Sequence, residues 1–344
     1  MLPTKVKIQK SPDFTFAVGK IRAWESKLLP ASVFYQLADS RDLSELESIL
    51  SSTVYANLPA SLRSKQAGKI ALSDFDDLFD AEEITTLKEL KSFLKDDRFL
   101  MPFLYKRDFH NLKLFAKSKF TNVEADWLKE SLVKKETLAE AIIWQDFTFL
   151  PKIYQNFLNE AWKTYEKIGN WQILDTFLEQ RLYEQILNIT EEFPFANYFF
   201  KAEIDLINIK TFIRCKNRDA EADLFSQLFI GGGLLDKTFF IEAYKEPTDK
   251  LSQRLKFTPY DVLTDIGTDV SKSFGEFYEI EKRCYLVLLK YLSCAKYTAF
   301  GYEPVLRYIF LKNNEIKNLR TVLVGKTHNI SSEEIKARIG PFNA

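Results

Sequence analysis

The chain has 344 residues, 46% of them hydrophobic and 15% aromatic, with 48 basic and 48 acidic side chains and a formal net charge of zero. That length and apolar content can bury a large core in two or three domains, and the lack of a basic block argues against a nucleic-acid partner. Apolar stretches such as Cys284–Leu292, broken by Lys290, fall short of a membrane span; the N-terminus lacks a signal-peptide core; two histidines and three cysteines leave little for a metal site or a Ser-His or Cys-His mechanism.

Apolar residues recur at helical spacing almost throughout and no run alternates strictly between turns, so the expected fold class is all-α, helices joined by short loops. Ser11-Pro12-Asp13 supplies a capping hydroxyl, a proline suited to the first helical position and an acid near the positive end, predicting a helix to about Leu29. Pro30, Ser40, Ser73, Asn122, Asn170, Pro259 and Pro304 each open a new helical pattern, while Phe193-Pro194-Phe195, Gly231-Gly232-Gly233 and Gly301 interrupt one. From Val270 to Phe300 the pattern predicts a helix of roughly 45 Å, on which Cys284 and Cys294 stand roughly 15 Å apart, too far to bridge. Reduced, buried thiols are expected there and at Cys215. Gly325 is expected to end a helix around Asn318, with Ser331 and Glu334 forming a capping box that opens the last helix, Ser331 to Ile339.

Three segments align on an asparagine. The first carries Phe103, Asp108, Asn111, Leu112, Lys113 and Phe115; the second Phe200, Asp205, Asn208, Ile209, Lys210 and Phe212; the third Phe310, Glu315, Asn318, Leu319, Arg320 and Val322. The asparagines are 97 and 110 residues apart. The acid-x-x-Asn-Leu/Ile-Lys/Arg core should arise by chance on the order of 0.1 times in such a chain, so a triplicated unit is the better explanation. It divides the chain into helical repeats over residues 1–135, 136–245 and 246–344. Acid and Asn lie one turn apart on one face and can share a hydrogen bond. A mid-helix Asn costs about 0.5 kcal/mol in propensity, so three of them point to amides that satisfy the backbone of a neighbouring helix end or loop, a structural clamp rather than a ligand site.

Other motifs imitate chemistry. Gly325-Lys326-Thr327 looks like the end of a phosphate loop, but Arg320 stands where the first glycine is required. Asp76-Asp77-Leu78-Phe79-Asp80 in an all-helical chain resembles the DDxxD motif of class I terpene synthases, whose carboxylates hold magnesium against a diphosphate. The second acidic motif of that family is not matched by Asn217-Arg218-Asp219-Ala220-Glu221, and Ser73-Asp74-Phe75-Asp76 reads as a capped helix start with acids at its positive end, which needs no metal. His110 has Ile207 and Lys317 as its counterparts, which leaves it a structural role, and Gly231–Gly233 reads as a flexible turn.

From Phe300 to Gly340 the chain carries, in order, Gly301, Glu303-Pro304, Tyr308, Glu315-Ile316, Asn318-Leu319-Arg320, Gly325-Lys326 and Glu334-Ile335. This stretch closely resembles the C-terminal signature of the C-subunit family of bacterial and archaeal V-type (A/V-type) ATPases, the counterpart of the d-type subunit of the eukaryotic V-ATPase. Gly19, Lys20, Ile21, Arg22, Ala23, Glu25 and Leu28-Leu29 are similar to the family's start. The resemblance implies three similar helical bundles around a pseudo-threefold axis, funnel-shaped, without catalytic, cofactor or metal residues. It also implies a peripheral socket on the cytoplasmic face of the membrane, joining the central shaft of the ATP-driven head to the membrane rotor ring for proton or sodium transport. An unrelated helical adaptor is the non-enzymatic alternative; it would stack unequal repeats in a line.

Overall fold

A computed structural model describes residues 12–58, 72–121, 130–247, 249–264 and 274–342. Ser11, Asn122 and residues 270–273 lie outside them. Every described element is helical. In chain order these are α1 (Thr15–Glu25), α2 (Ala31–Asp39), α3 (Leu43–Ser51), α4 (Leu72–Phe93), α5 (Met101–Thr121), α6 (Lys135–Trp144), α7 (Lys152–Ile168) and α8 (Trp171–Ile189). There follow α9 (Pro194–Asn217), α10 (Ala222–Leu228), α11 (Lys237–Tyr244), α12 (Asp249–Leu255), α13 (Phe274–Leu292), α14 (Glu303–Thr327) and α15 (Ser332–Arg338).

Most boundaries fall where the local chemistry puts them. Pro194 and Pro304 occupy first-turn positions, Asn170 caps α8 by accepting from the Gln172 amide, and Ser331 caps α15 by accepting from the Glu334 amide at 3.2 Å. Three expectations need correction. Helix α1 stops at Glu25 instead of Leu29: the Lys27 and Leu28 amides turn back to Trp24 and Glu25 in tighter i−3 bonds, and the Leu29 amide donates to the Glu315 carboxylate. Gly325 lies inside α14; a Cβ there would come within 2.7 Å of the Ile335 side chain, so it makes room for α15 rather than ending α14. Helix α13 ends at Leu292 and tightens into a 3-10 turn, Ser293–Tyr297, which leaves Cys294 exposed while Cys215 and Cys284 are buried.

The described residues form two compact units, one within residues 96–291 and the other within residues 12–95 and 292–342. In the first, α5 packs on α6 and α8, α8 on α7 and α9, and α9 on α10. Its core contains aromatic clusters around Phe109, Tyr154 and Phe157 and around Phe212, Phe225 and Phe240. Each fully buried Phe contributes about 1.5–3 kcal/mol of transfer free energy. In the second unit α14 is central, packed on α1, α2, α4 and α15 and buried except for a narrow stripe at Asn313 and Lys317. Phe34, Leu46, Phe75, Leu319, Val322 and Ile335 share its core.

Candidate functional site

The three asparagine motifs lie on α5, α9 and α14, and on each helix the acid and the Asn are buried. A buried carboxylate or amide needs partners, and these take most of theirs from loops. On α9, Asp205 accepts hydrogen bonds from the Leu234 amide at 2.9 Å, the Leu235 amide at 3.1 Å and the Tyr260 hydroxyl. One turn on, Asn208 donates to the Ile230 carbonyl at 2.7 Å and accepts from the Ile230 amide at 2.9 Å. The two side chains do not bond to each other; they hold successive stretches of one loop. That loop contains Gly231–Gly233, and a Cβ at Gly233 would sit 2.0 Å from Asp205 Oδ1. The triple glycine is thus a place of close backbone approach rather than a flexible turn. Burial pushes the Asp205 carboxyl up to about 7, against the opposing pull of the Tyr260, Leu235 and Leu234 donors.

The acids of the other two motifs repeat the pattern. Asp108 on α5 accepts from the Val133 amide at 3.1 Å and the Tyr154 hydroxyl at 2.5 Å, with Asn111 fully buried beside it, and burial raises its pKa. Glu315 on α14 accepts from the Leu29 amide and from the Tyr55 hydroxyl at 2.5 Å, and Asn318 accepts from the Gly340 amide at 3.0 Å. The spacings agree. Asn208 reaches 22 residues forward to Ile230 and Asn318 reaches 22 forward to Gly340, while 26 residues separate Leu234 from Tyr260 and Leu29 from Tyr55. The third motif therefore draws one part of its clamp from the C-terminal region and the other from the N-terminal helices.

The basic positions behave less uniformly. Lys113 pairs with Asp175 at 3.1 Å and with Glu179, both on α8, and Arg320 pairs with Asp76 on α4 at 2.6 Å. Lys210 makes no ion pair among the described residues. In the first unit α5 and α9 meet through motif-equivalent residues, Phe103 against Phe200 at 5.9 Å between ring centres and Lys106 bonded to Glu203 at 2.5 Å. Pairing of like with like at two positions one turn apart means that the two helices run parallel there.

The tyrosines that complete the clamps were missed by sequence reasoning, although a signal exists. Leu50-Ser-Ser-Thr-Val-Tyr55-Ala-Asn-Leu58 and Leu255-Lys-Phe-Thr-Pro-Tyr260-Asp-Val-Leu263 share Leu-x-x-Thr-x-Tyr-x-x-Leu. In both, the Thr hydroxyl donates to the first Leu carbonyl and accepts from the Tyr amide, and the last Leu amide donates to the Tyr carbonyl. Tyr154 follows a differently built turn, Phe147–Leu150.

These residues hold loops in place and present no reacting atom. The acids are occupied by backbone amides and phenols, Asp76 of the DDxxD stretch is engaged by Arg320, and Lys326 donates to the Ser40 carbonyl at 2.6 Å. Among the described residues no group of three or more His, Cys, Asp or Glu could hold a metal ion, and no helix is long and apolar enough to cross a membrane.

Comparison with known proteins assigns the same stretch of chain. The family model of the ATP synthase (C/AC39) subunit matches residues 17–338. The chain is similar to the C-subunit of the V-type sodium ATPase of Enterococcus hirae, 23% identical over 93% of this chain and 95% of that protein. It is also similar to the C-subunit of the A-type ATP synthase of Methanocaldococcus jannaschii, 25% identical over 97% and 88%, and to that of Archaeoglobus fulgidus, 25% identical over 95% and 96%. The chain belongs to the ATP synthase (C/AC39) subunit family, as a non-catalytic member of an A/V-type ATPase complex.

Proposed function

We propose that this chain is the central-stalk socket of its complex, receiving the shaft of the ATP-driven head and seating it on the membrane rotor ring at the cytoplasmic face. Its three repeats, 1–135, 136–245 and 246–344, close on one another around a pseudo-threefold axis. The observation that carries this reading is the third clamp. Glu315 on α14 takes Leu29 and Tyr55 from the N-terminal helices where Asp205 takes Leu234 and Tyr260 from the loops after its own helix. A line of stacked repeats leaves its last member open, whereas here the last motif is completed by the first helices.

The basic residues support the same closure: Lys113 reaches α8, the helix before the second motif helix, and Arg320 reaches α4, the helix before the first. A part that passes torque needs stiffness, and each clamp ties a helix to two other segments of the chain by buried hydrogen bonds. Nothing in this role requires a reactive group, which fits clamps whose acids are all engaged. Reconstituted particles lacking the chain are expected to hydrolyse ATP without moving ions, and its return restores transport. Unimpaired ion pumping without the chain would refute the assignment.

A further inference from the structure

We infer that Lys210 and Lys282 form an open seat for carboxylates supplied by a partner subunit, fitting a helix that presents two acids four residues apart. The inference rests on the reading of the chain as an assembly subunit and names one place where a partner engages it. Internal repetition supplies the comparison. Lys113 on α5 is bonded to Asp175 and Glu179, the fifth and ninth residues of α8. Arg320 on α14 is bonded to Asp76, the fifth residue of α4, whose ninth is Asp80. Both acid-bearing helices run into a motif helix, α8 into α9 and α4 into α5. The helix that runs into the remaining one, α14, is α13, and it lies against α9. There the Tyr291 ring stacks on Phe195 at 4.6 Å between centres, and its hydroxyl donates to the Phe195 carbonyl at 2.9 Å. The fifth and ninth residues of α13 are Tyr278 and Lys282.

The places that hold carboxylates twice thus hold, the third time, a phenol and a second cation. Lys210 is half-buried and makes no ion pair among the described residues. Lys282 is half-buried as well; its ammonium lies over the Tyr278 ring, 5.0 Å from the centre, and burial pulls its pKa down against the opposing effect of Glu279. The acids of the neighbouring helices are taken. Asp175 is bonded to Lys113, Glu203 to Lys106 and Glu279 to Arg283 at 3.2 Å, and Glu281 is engaged too. Cations held partly out of water without an acid of their own gain from one that arrives with a partner.

The two closed positions also define the form of that acid. At each, a helix carries acids at its fifth and ninth residues, one turn apart on one face. An acidic helix of a partner therefore matches the open position group for group, whereas a free anion answers to its charge alone.

The test uses the full chain and the detergent-solubilised complex from the same cells depleted of it. Lys210→Met should weaken rebinding about ten-fold and leave the melting temperature unchanged. Lys113→Met, by contrast, should lower the melting temperature, because it leaves Asp175 and Glu179 facing each other without their cation. Lys282→Glu puts an acid where the first repeat has Glu179, so it should keep or raise the melting temperature and still weaken rebinding. Lys152→Met, exposed at the start of α7, should rebind as the wild type does. A fall in melting temperature at Lys210→Met equal to that at Lys113→Met reveals an internal partner and overturns the inference. Undiminished rebinding of Lys210→Met also overturns it and leaves the proposed function standing. Wild-type chain that ignores the depleted complex overturns both. Inorganic phosphate that raises the melting temperature of the wild type but not of Lys210→Met, while that variant rebinds normally, makes the place a small-anion site and overturns the acidic helix.

Discussion

Asp205 shows how burial and hydrogen bonding compete at a single residue. Three donors favour its charged form, yet the loss of solvent outweighs them and holds the carboxyl near 7, with Asp236 adding to the upward push. The folded value lies above the ordinary unfolded one of about 3.9. Between the two, the native state keeps a proton that the unfolded state has released, so stability falls as pH rises through that window and levels off above about 7. The facing phenols Tyr260 and Tyr198, both raised by burial, stay protonated throughout. Asp205→Asn should therefore flatten the dependence of the urea midpoint on pH between 4 and 7. A residual slope will remain from Asp108 and Asp175, which burial also raises. An unchanged slope in the variant would contradict this account.

At the scale of elements, α14 is the helix whose environment departs furthest from an ordinary amphipathic pattern. It buries Glu303, Arg307, Lys312 and Glu315 along with its apolar residues. Such charges are tolerated because they are paired: Arg307 with Glu25, and Lys312 with Glu82 at 2.8 Å and with the Tyr55 hydroxyl at 2.7 Å. Its C-terminal end carries α15 through the gap at Gly325. Gly325→Ala places a methyl group against Ile335 and should destabilise the unit by about 1–3 kcal/mol, the usual range for overpacking. Helix propensity acts in the opposite direction, favouring Ala by about 0.8–1.0 kcal/mol. Chemical denaturation decides between them, and a more stable variant would mean that α15 shifts freely.

For the molecule as a whole, the separation into two units joins, in the second, described stretches within residues 12–95 and 292–342 that are far apart in sequence. Within the second unit, the bond between Tyr55 and Glu315, 260 residues apart, ties its N-terminal stretch to its C-terminal one. Tyr55→Phe removes a donor from a buried carboxylate and should cost about 1–3 kcal/mol. Hydrogen exchange should then quicken in α14 and in α1 to α3, while α9 keeps its protection. Equal acceleration in α9 would show that the two units open together and would refute their separate cooperativity.

Much of this was legible in the chain alone. Helix class and most boundaries follow from apolar periodicity and from prolines and capping residues, which act within a few positions of where they stand. The motif residues were readable as well, since a buried acid and Asn one turn apart on three helices leave a recurring spacing. The targets of those side chains were not readable. Leu-x-x-Thr-x-Tyr-x-x-Leu is a visible repeat, but only the fold shows that Tyr55 serves Glu315 near the other end of the chain, and that the Leu29 amide leaves its own helix to do the same. The apolar pattern around Gly325 could not distinguish a helix stop from a packing gap, because both uses require the absence of a side chain and differ only in what lies opposite. Local propensities depend on neighbours in sequence, and so they set the elements. Clamps, ion pairs and close approaches depend on neighbours in space, and so the packing of distant helices had to choose which loop each carboxylate holds.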